Sequence, residues 1–131
     1  MSPSRRSRSS AGARSPNRSL APADKLKREV RAALSEELDT GQGFAYVAAE
    51  AYFRLAGGYD AGLHPVQHRY RGRSHWWLVD GDGHVIDLVL GPRESSKFPY
   101  HRGKRRPFRY TPAGISRRAQ TIVERVHTAR R

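Results

Sequence analysis

The hydrophobic period of this chain changes once, at Gly57-Gly58. Before that pair, apolar residues recur at helical spacing; after it they alternate or run together as they do in strands. Leu26, Val30, Ala33, Leu34 and Leu38 fall on one helical face, and Pro22 suits a first helical turn, so a helix is expected over 22–38. Thr40, Gly41, Gln42 and Gly43 break it. Ala45, Ala48, Ala49, Tyr52, Leu55 and Ala56 then mark a second helix, closed by Gly57-Gly58 because glycine accepts the left-handed conformation at a helix end. Its alanines let neighbours approach closely, which marks it as the central helix of the core.

Three strands follow, over 66–71, 74–79 and 84–90. The last two are joined by Asp80-Gly81-Asp82-Gly83, a strong hairpin signal. Trp76, Trp77, Leu78, Val85, Ile86 and Leu88 make this pair mostly apolar, so it should occupy the middle of the sheet. The Pro- and Arg-rich stretch 91–110 reads as an irregular loop. Ser116 suits the cap of a last helix with Ala119, Ile122, Val123 and Val126 as its apolar face. Helix, helix, strands, helix is the order of an α+β domain, a small antiparallel sheet packed on a central helix.

Charge is segregated along the chain. Residues 1–31 hold nine Lys/Arg and two Asp/Glu, residues 32–90 hold four and eight, and residues 91–131 hold twelve and two. The middle is therefore mildly acidic, and the net charge of +13 comes from the two ends. Residues 1–21 carry Arg5, Arg6 and Arg8 among Ser, Pro, Gly and Ala, with little to bury, and are expected to form a disordered basic arm. Residues 22–131 are expected to form a single α+β domain. Such a balance attracts nucleic acid or another polyanion. Without cysteine there is no disulfide, thiolate zinc site or thiol catalysis in the chain as given. No apolar run reaches the roughly 18 residues of a membrane span, so a cytoplasmic protein without membrane contact is expected.

Three features fall in an order that suggests chemistry: the start of the second helix at Phe44-Ala45-Tyr46, then His75, then Asp87. A three-residue hairpin loop at Asp80-Gly81-Asp82 would put His75 opposite Asp87, with β-carbons roughly 5 Å apart. A four-residue loop would bring Trp76 there instead and separate the pair. A His and an Asp on adjacent strands can equally be a buried hydrogen-bonded pair with no catalytic role. Trp76 and Trp77 suit core packing better than a substrate groove. The histidines His64, His68 and His75 have no acidic neighbour in sequence, so no metal and no cofactor is expected, and Asp80-Gly81-Asp82-Gly83 is explained by turn chemistry.

The run from Tyr46 to Gly58, with Gly62-Leu63-His64-Pro65, Ser74-His75-Trp76-Trp77-Leu78 and Val85-Ile86-Asp87, resembles small, mostly uncharacterised proteins of phages and actinobacteria. In those relatives the residue before the tyrosine is commonly cysteine. The resemblance thus implies a papain- or transglutaminase-like core with a Cys, His, Asp order. It implies a thiol hydrolase or transferase scaffold acting on an acyl or amide group, with His75 as base and Asp87 orienting it. Gln42 would be a candidate oxyanion donor. Here the cysteine position is Ala45, so the nucleophile is lacking.

The alternative is a non-catalytic, sequence-independent nucleic-acid-binding protein. Between Lys97 and Tyr110, the cations Arg102, Lys104, Arg105, Arg106 and Arg109 are interleaved with Phe98, Tyr100 and Phe108. Arginines suit phosphates, and exposed aromatics would stack on bases.

Overall fold

The computed structural model describes residues 22–34, 44–109 and 114–131. The basic arm expected over 1–21, the first helix beyond Leu34 and the turn containing Gln42 lie outside the described residues. Within them the order is α1 (Pro22–Leu34), α2 (Phe44–Ala56), a 3₁₀ turn (Gly58–Ala61), β1 (His64–Tyr70), β2 (Arg73–Val79) and β3 (Val85–Ile86). Then come α3 (Pro92–Lys97), a second 3₁₀ turn (Tyr100–Arg102), β4 (Lys104–Arg105) and α4 (Arg117–Ala129). The domain is α+β, with an antiparallel sheet in the order β3-β2-β1-β4.

The alanine-rich α2 lies at the centre, against α1, α4 and β2. Ala48, Ala49 and Ala51 are fully buried there, with Val30 from α1, Ile122 from α4 and Leu78 from β2. The short side chains let the neighbouring backbones pack closely against α2. α4 begins where the sequence predicts. Ser116 accepts a hydrogen bond from the Ala119 amide at 3.3 Å, and Ala119, Ile122, Val123 and Val126 are all buried.

One member of this core was not anticipated. Glu50 is 2% exposed on α2, inside the apolar cluster. Its carboxylate accepts the Ser116 hydroxyl at 2.7 Å and the Ser116 amide at 3.2 Å. It therefore sits at the N-terminus of α4, where the helix dipole and unpaired amides favour an anion.

Two strand expectations are corrected. β3 is an edge strand of two residues, not a long central one. It ends because Asp87 turns the chain, its Oδ1 accepting the amides of Val89 and Leu90 at 2.9 and 3.0 Å. The stretch 91–110 is not an irregular loop: it contains α3, a 3₁₀ turn and β4, which pairs with β1 at Val66↔Arg105 and Gln67↔Lys104.

Candidate functional site

The geometry of the His75–Asp87 pair begins with the β2–β3 turn. Val79 pairs with Val85, and the Asp80 amide donates to the His84 carbonyl at 3.0 Å. The loop has three residues, but they are Gly81-Asp82-Gly83, one position later than the sequence suggests. Gly83 has φ +85°, a conformation glycine takes without strain, and Asp80 Oδ1 accepts the amides of Asp82 and His84, both at 2.9 Å. Asp82 would have had to take the left-handed position in the expected loop.

The shift moves each strand by one, so the pairing slips by two. Extended along the ladder, it sets Trp77, not His75, opposite Asp87. A slip of two keeps every side chain on its face. His75 and Asp87 are thus diagonal neighbours on one face, and the imidazole Nε2 lies 2.7 Å from Asp87 Oδ2.

Four donors converge on this carboxylate, which is only 3% exposed. Oδ1 takes the two amides; Oδ2 takes His75 and the Tyr100 hydroxyl, each at 2.7 Å. Ser95 Oγ lies 2.8 Å from the Tyr100 oxygen. Since the Tyr100 proton goes to Asp87, Ser95 donates to Tyr100. Burial raises the Asp87 pKa, but the hydrogen bonds from His75, Leu90 and Val89 and the His75 charge outweigh it, and the carboxyl titrates below its ordinary range. The Tyr100 hydroxyl is pushed up, first by burial, with Asp87 adding to the effect. An ionised carboxylate accepting at all its sites is a fastening for the segment after β3. With Nε2–H given to Asp87, a neutral His75 carries its lone pair on Nδ1, the form a general base requires.

The sheet separates this pair from the helix that was to carry the nucleophile. Trp76 packs edge-on against Tyr46 of α2 at 5.0 Å and is stacked with Phe108 at 5.5 Å. His75 and Trp77 point the other way, since neighbouring side chains on a strand alternate and β2 pairs with β1 without interruption over 73–79. On that second face Trp77 meets Phe98 and Tyr100 at 5.5 and 5.1 Å, and Phe98 lies 4.8 Å from the His75 ring. Residues 91–105 therefore form a roof over His75, Asp87 and Trp77. Ala45 is on α2, across the sheet from the imidazole. The structure brings His75 and Asp87 together and does not bring Ala45 to them; Gln42 is outside the described residues.

The basic candidates divide in the same way. Arg5, Arg6 and Arg8 lie outside the described residues, while Arg102, Lys104, Arg105, Arg106 and Arg109 are all exposed. The aromatics between them are not offered for stacking. Phe108 is 1% exposed within the helical core, and Phe98 and Tyr100 are half-buried in the roof. Sequence reasoning missed Ser95 and Tyr100 as partners of Asp87. It also missed Arg69, Arg71 and Arg73, exposed around the β1–β2 turn, although their alternate spacing was visible. Among the described residues, potential metal ligands gather only at Asp80, Asp82 and His84, where the hydrogen bonds of the turn account for the arrangement.

Comparison of the chain with family models, with curated proteins and with solved structures found no match. Among the described residues no helix is long and apolar enough to cross a membrane.

Proposed function

We propose that the protein binds nucleic acid through its phosphates, without reading base sequence. The observation that carries this reading is the distribution of carboxylates. Residues 61–79 and 95–123 contain eleven Lys/Arg and not one Asp or Glu. Nine of these cations lie on the β1–β2 hairpin, in the roof or in the segment that follows β4, and Arg117 and Arg118 open α4. The exposed acids Asp60 and Asp82 lie at the other end of the strands, where Gly62 approaches the Gly81 backbone. With about 3.3 Å per residue, the seven residues of β2 hold the two ends roughly 20 Å apart. That is about twice the screening length in physiological salt, so a polyanion at the cationic end does not feel the acids.

The buried aromatics shape the expectation. With Phe108 buried and Phe98 and Tyr100 half-buried against Trp77, affinity comes from phosphate contacts and is lost steeply with salt. The test is fluorescence anisotropy of a labelled nucleic acid titrated with the full chain over a series of salt concentrations. The logarithm of affinity should fall linearly with the logarithm of salt, each neutralised phosphate contributing about 0.7 to 0.9 to the slope. Removing residues 1–19 should flatten it. No measurable binding at low salt, or binding indifferent to salt, refutes the proposal.

A further inference from the structure

We infer that the tip of the β1–β2 hairpin is the element that enters a groove of double-stranded nucleic acid, an inference that rests on the nucleic-acid reading above. β4 pairs with β1 only at Val66 and Gln67, and β3 pairs with β2 only at Leu78 and Val79. From Arg69 to Ser74 the chain is thus a two-stranded ribbon paired only with itself, through Arg69↔Ser74 and Tyr70↔Arg73. Arg69, Arg71, Gly72, Arg73 and Ser74 are all exposed, and a side chain added at Gly72 would meet nothing within 4 Å.

The three arginines are set in three directions. Cross-strand partners share a face, so Arg69 lies on the face of Ser74, and Arg73, next to Ser74 on the strand, lies on the opposite face. Arg71 is at the tip. A ribbon lying flat on a charged surface, such as an anionic bilayer, would use one face and turn the other guanidinium to water. A ribbon set into a groove has a phosphate wall on each side and uses both. The major groove of B-form DNA, about 12 Å wide, admits a two-stranded ribbon, and guanidinium forks match phosphate oxygens. A single strand offers no paired walls, and the packed Phe98, Tyr100 and Phe108 provide no platform for its bases.

The backbone of the turn supplies a test. Arg71 has φ +52° and Gly72 φ +79°, the signature of a tight two-residue turn of type I′. The first position of such a turn favours Asn, Asp or Gly. Arg71 is the only non-glycine with positive φ among the described residues. A cation in a left-handed conformation at the tip of an exposed ribbon, where Asn would relax the turn, is a position at which backbone comfort and side-chain chemistry can be separated.

Arg71→Asn separates the two roles, because Asn-Gly suits the turn. Its melting temperature should equal or exceed that of the parent, while its slope of log affinity against log salt on a 20-base-pair duplex falls by about one. Arg69→Ala/Arg71→Asn/Arg73→Ala should lower that slope by between about two and three, and should weaken duplex binding several-fold more than binding to a single strand of the same sequence. If both variants keep the parent slope on duplex, the hairpin is not the groove element, though the broader proposal survives. Equal losses on duplex and single strand, or a larger loss on phosphatidylserine vesicles than on duplex, overturn the groove in favour of general attraction or a membrane surface. A parent chain that binds no nucleic acid at low salt removes both proposals together.

Discussion

Asp87→Ala is the substitution that most directly tests how the roof is held. It strips the acceptor from four donors at once: the His75 ring, the Tyr100 hydroxyl and the amides of Val89 and Leu90. A buried donor left unpaired costs about 1–3 kcal/mol. The His75 side chain is 12% exposed, so water can reach part of the vacated site and the full sum is not felt. We expect a loss of about 4 kcal/mol, in the range seen when one member of a buried charged pair is removed. With an m-value of roughly 2 kcal/mol per molar urea, the unfolding midpoint should fall by about 2 M. Tryptophan fluorescence suits the measurement because Trp76 reports on the helical face and Trp77 on the roofed face; Trp76→Phe and Trp77→Phe backgrounds read each face separately. Asp87 also has a pH signature. Its folded pKa is below the ordinary 3.8, so the unfolded chain takes up its proton first. The stabilisation is present above that value and is lost as pH falls through the folded one. Asp87→Asn should lack this part of the acid loss. A midpoint lowered by less than about 0.5 M in Asp87→Ala, or an unchanged acid limb in Asp87→Asn, would refute the view of Asp87 as the fastening of the roof.

Gly103→Ala should destabilise by about 2 kcal/mol through overpacking, read as a fall of several degrees in melting temperature. Gly103 has an ordinary φ of −69°, yet a β-carbon there would collide with the Trp77 ring and lie 2.5 Å from Val66 Cγ1. Ala45→Cys should give a thiol whose alkylation rate is the same with and without His75→Gln, because the imidazole lies across the sheet. A rate that drops when His75 is replaced would restore the thiol-enzyme arrangement.

The helical half was legible because each apolar stripe had a single use. The second helix and the cap and buried face of the last one follow from spacing alone, since nothing competes with burial at Ala48, Ala49, Ile122 or Val126. The sheet was harder. Leu88, Val89 and Leu90 look like a continuing strand, but Asp87 captures two amides that a ladder would have needed, and apolar content cannot reveal that. The hairpin loop sits one residue later than the Asp-Gly pattern alone suggests, because Gly83 rather than Asp82 takes the left-handed position. Phe98 and Tyr100 were ambiguous for another reason. Aromatics between cations suit nucleic-acid stacking and core anchoring equally, and the choice depends on Gly103, whose missing side chain lets the roof settle on Trp77. Glu50 was invisible because its partner, Ser116, is 66 residues away.

The two faces of the sheet are closed by different means, and this bears on where function can reside. The helical face buries alanines and branched aliphatics, and cations at its rim have partners within the fold: Arg130 forms a two-pronged contact with Glu29 at 2.7 and 2.8 Å, and Arg54 donates to the Gly114 carbonyl at 2.9 Å. Six Lys/Arg and no carboxylate fall between 95 and 109, and Glu94 is the one acidic residue of the roof. Like charges gathered on one small surface oppose compaction. The aromatics Phe98, Tyr100 and Trp77, the pairing of β4 with β1 and the Asp87 carboxylate hold the roof down, and that carboxylate is spent beneath it. A chain under selection for stability alone would place acids among those cations, whereas Asp60, Asp80 and Asp82 lie at the opposite end of the same strands. The absence of acids from 61–79 and 95–109 is a cost to folding that binding to a polyanion would offset.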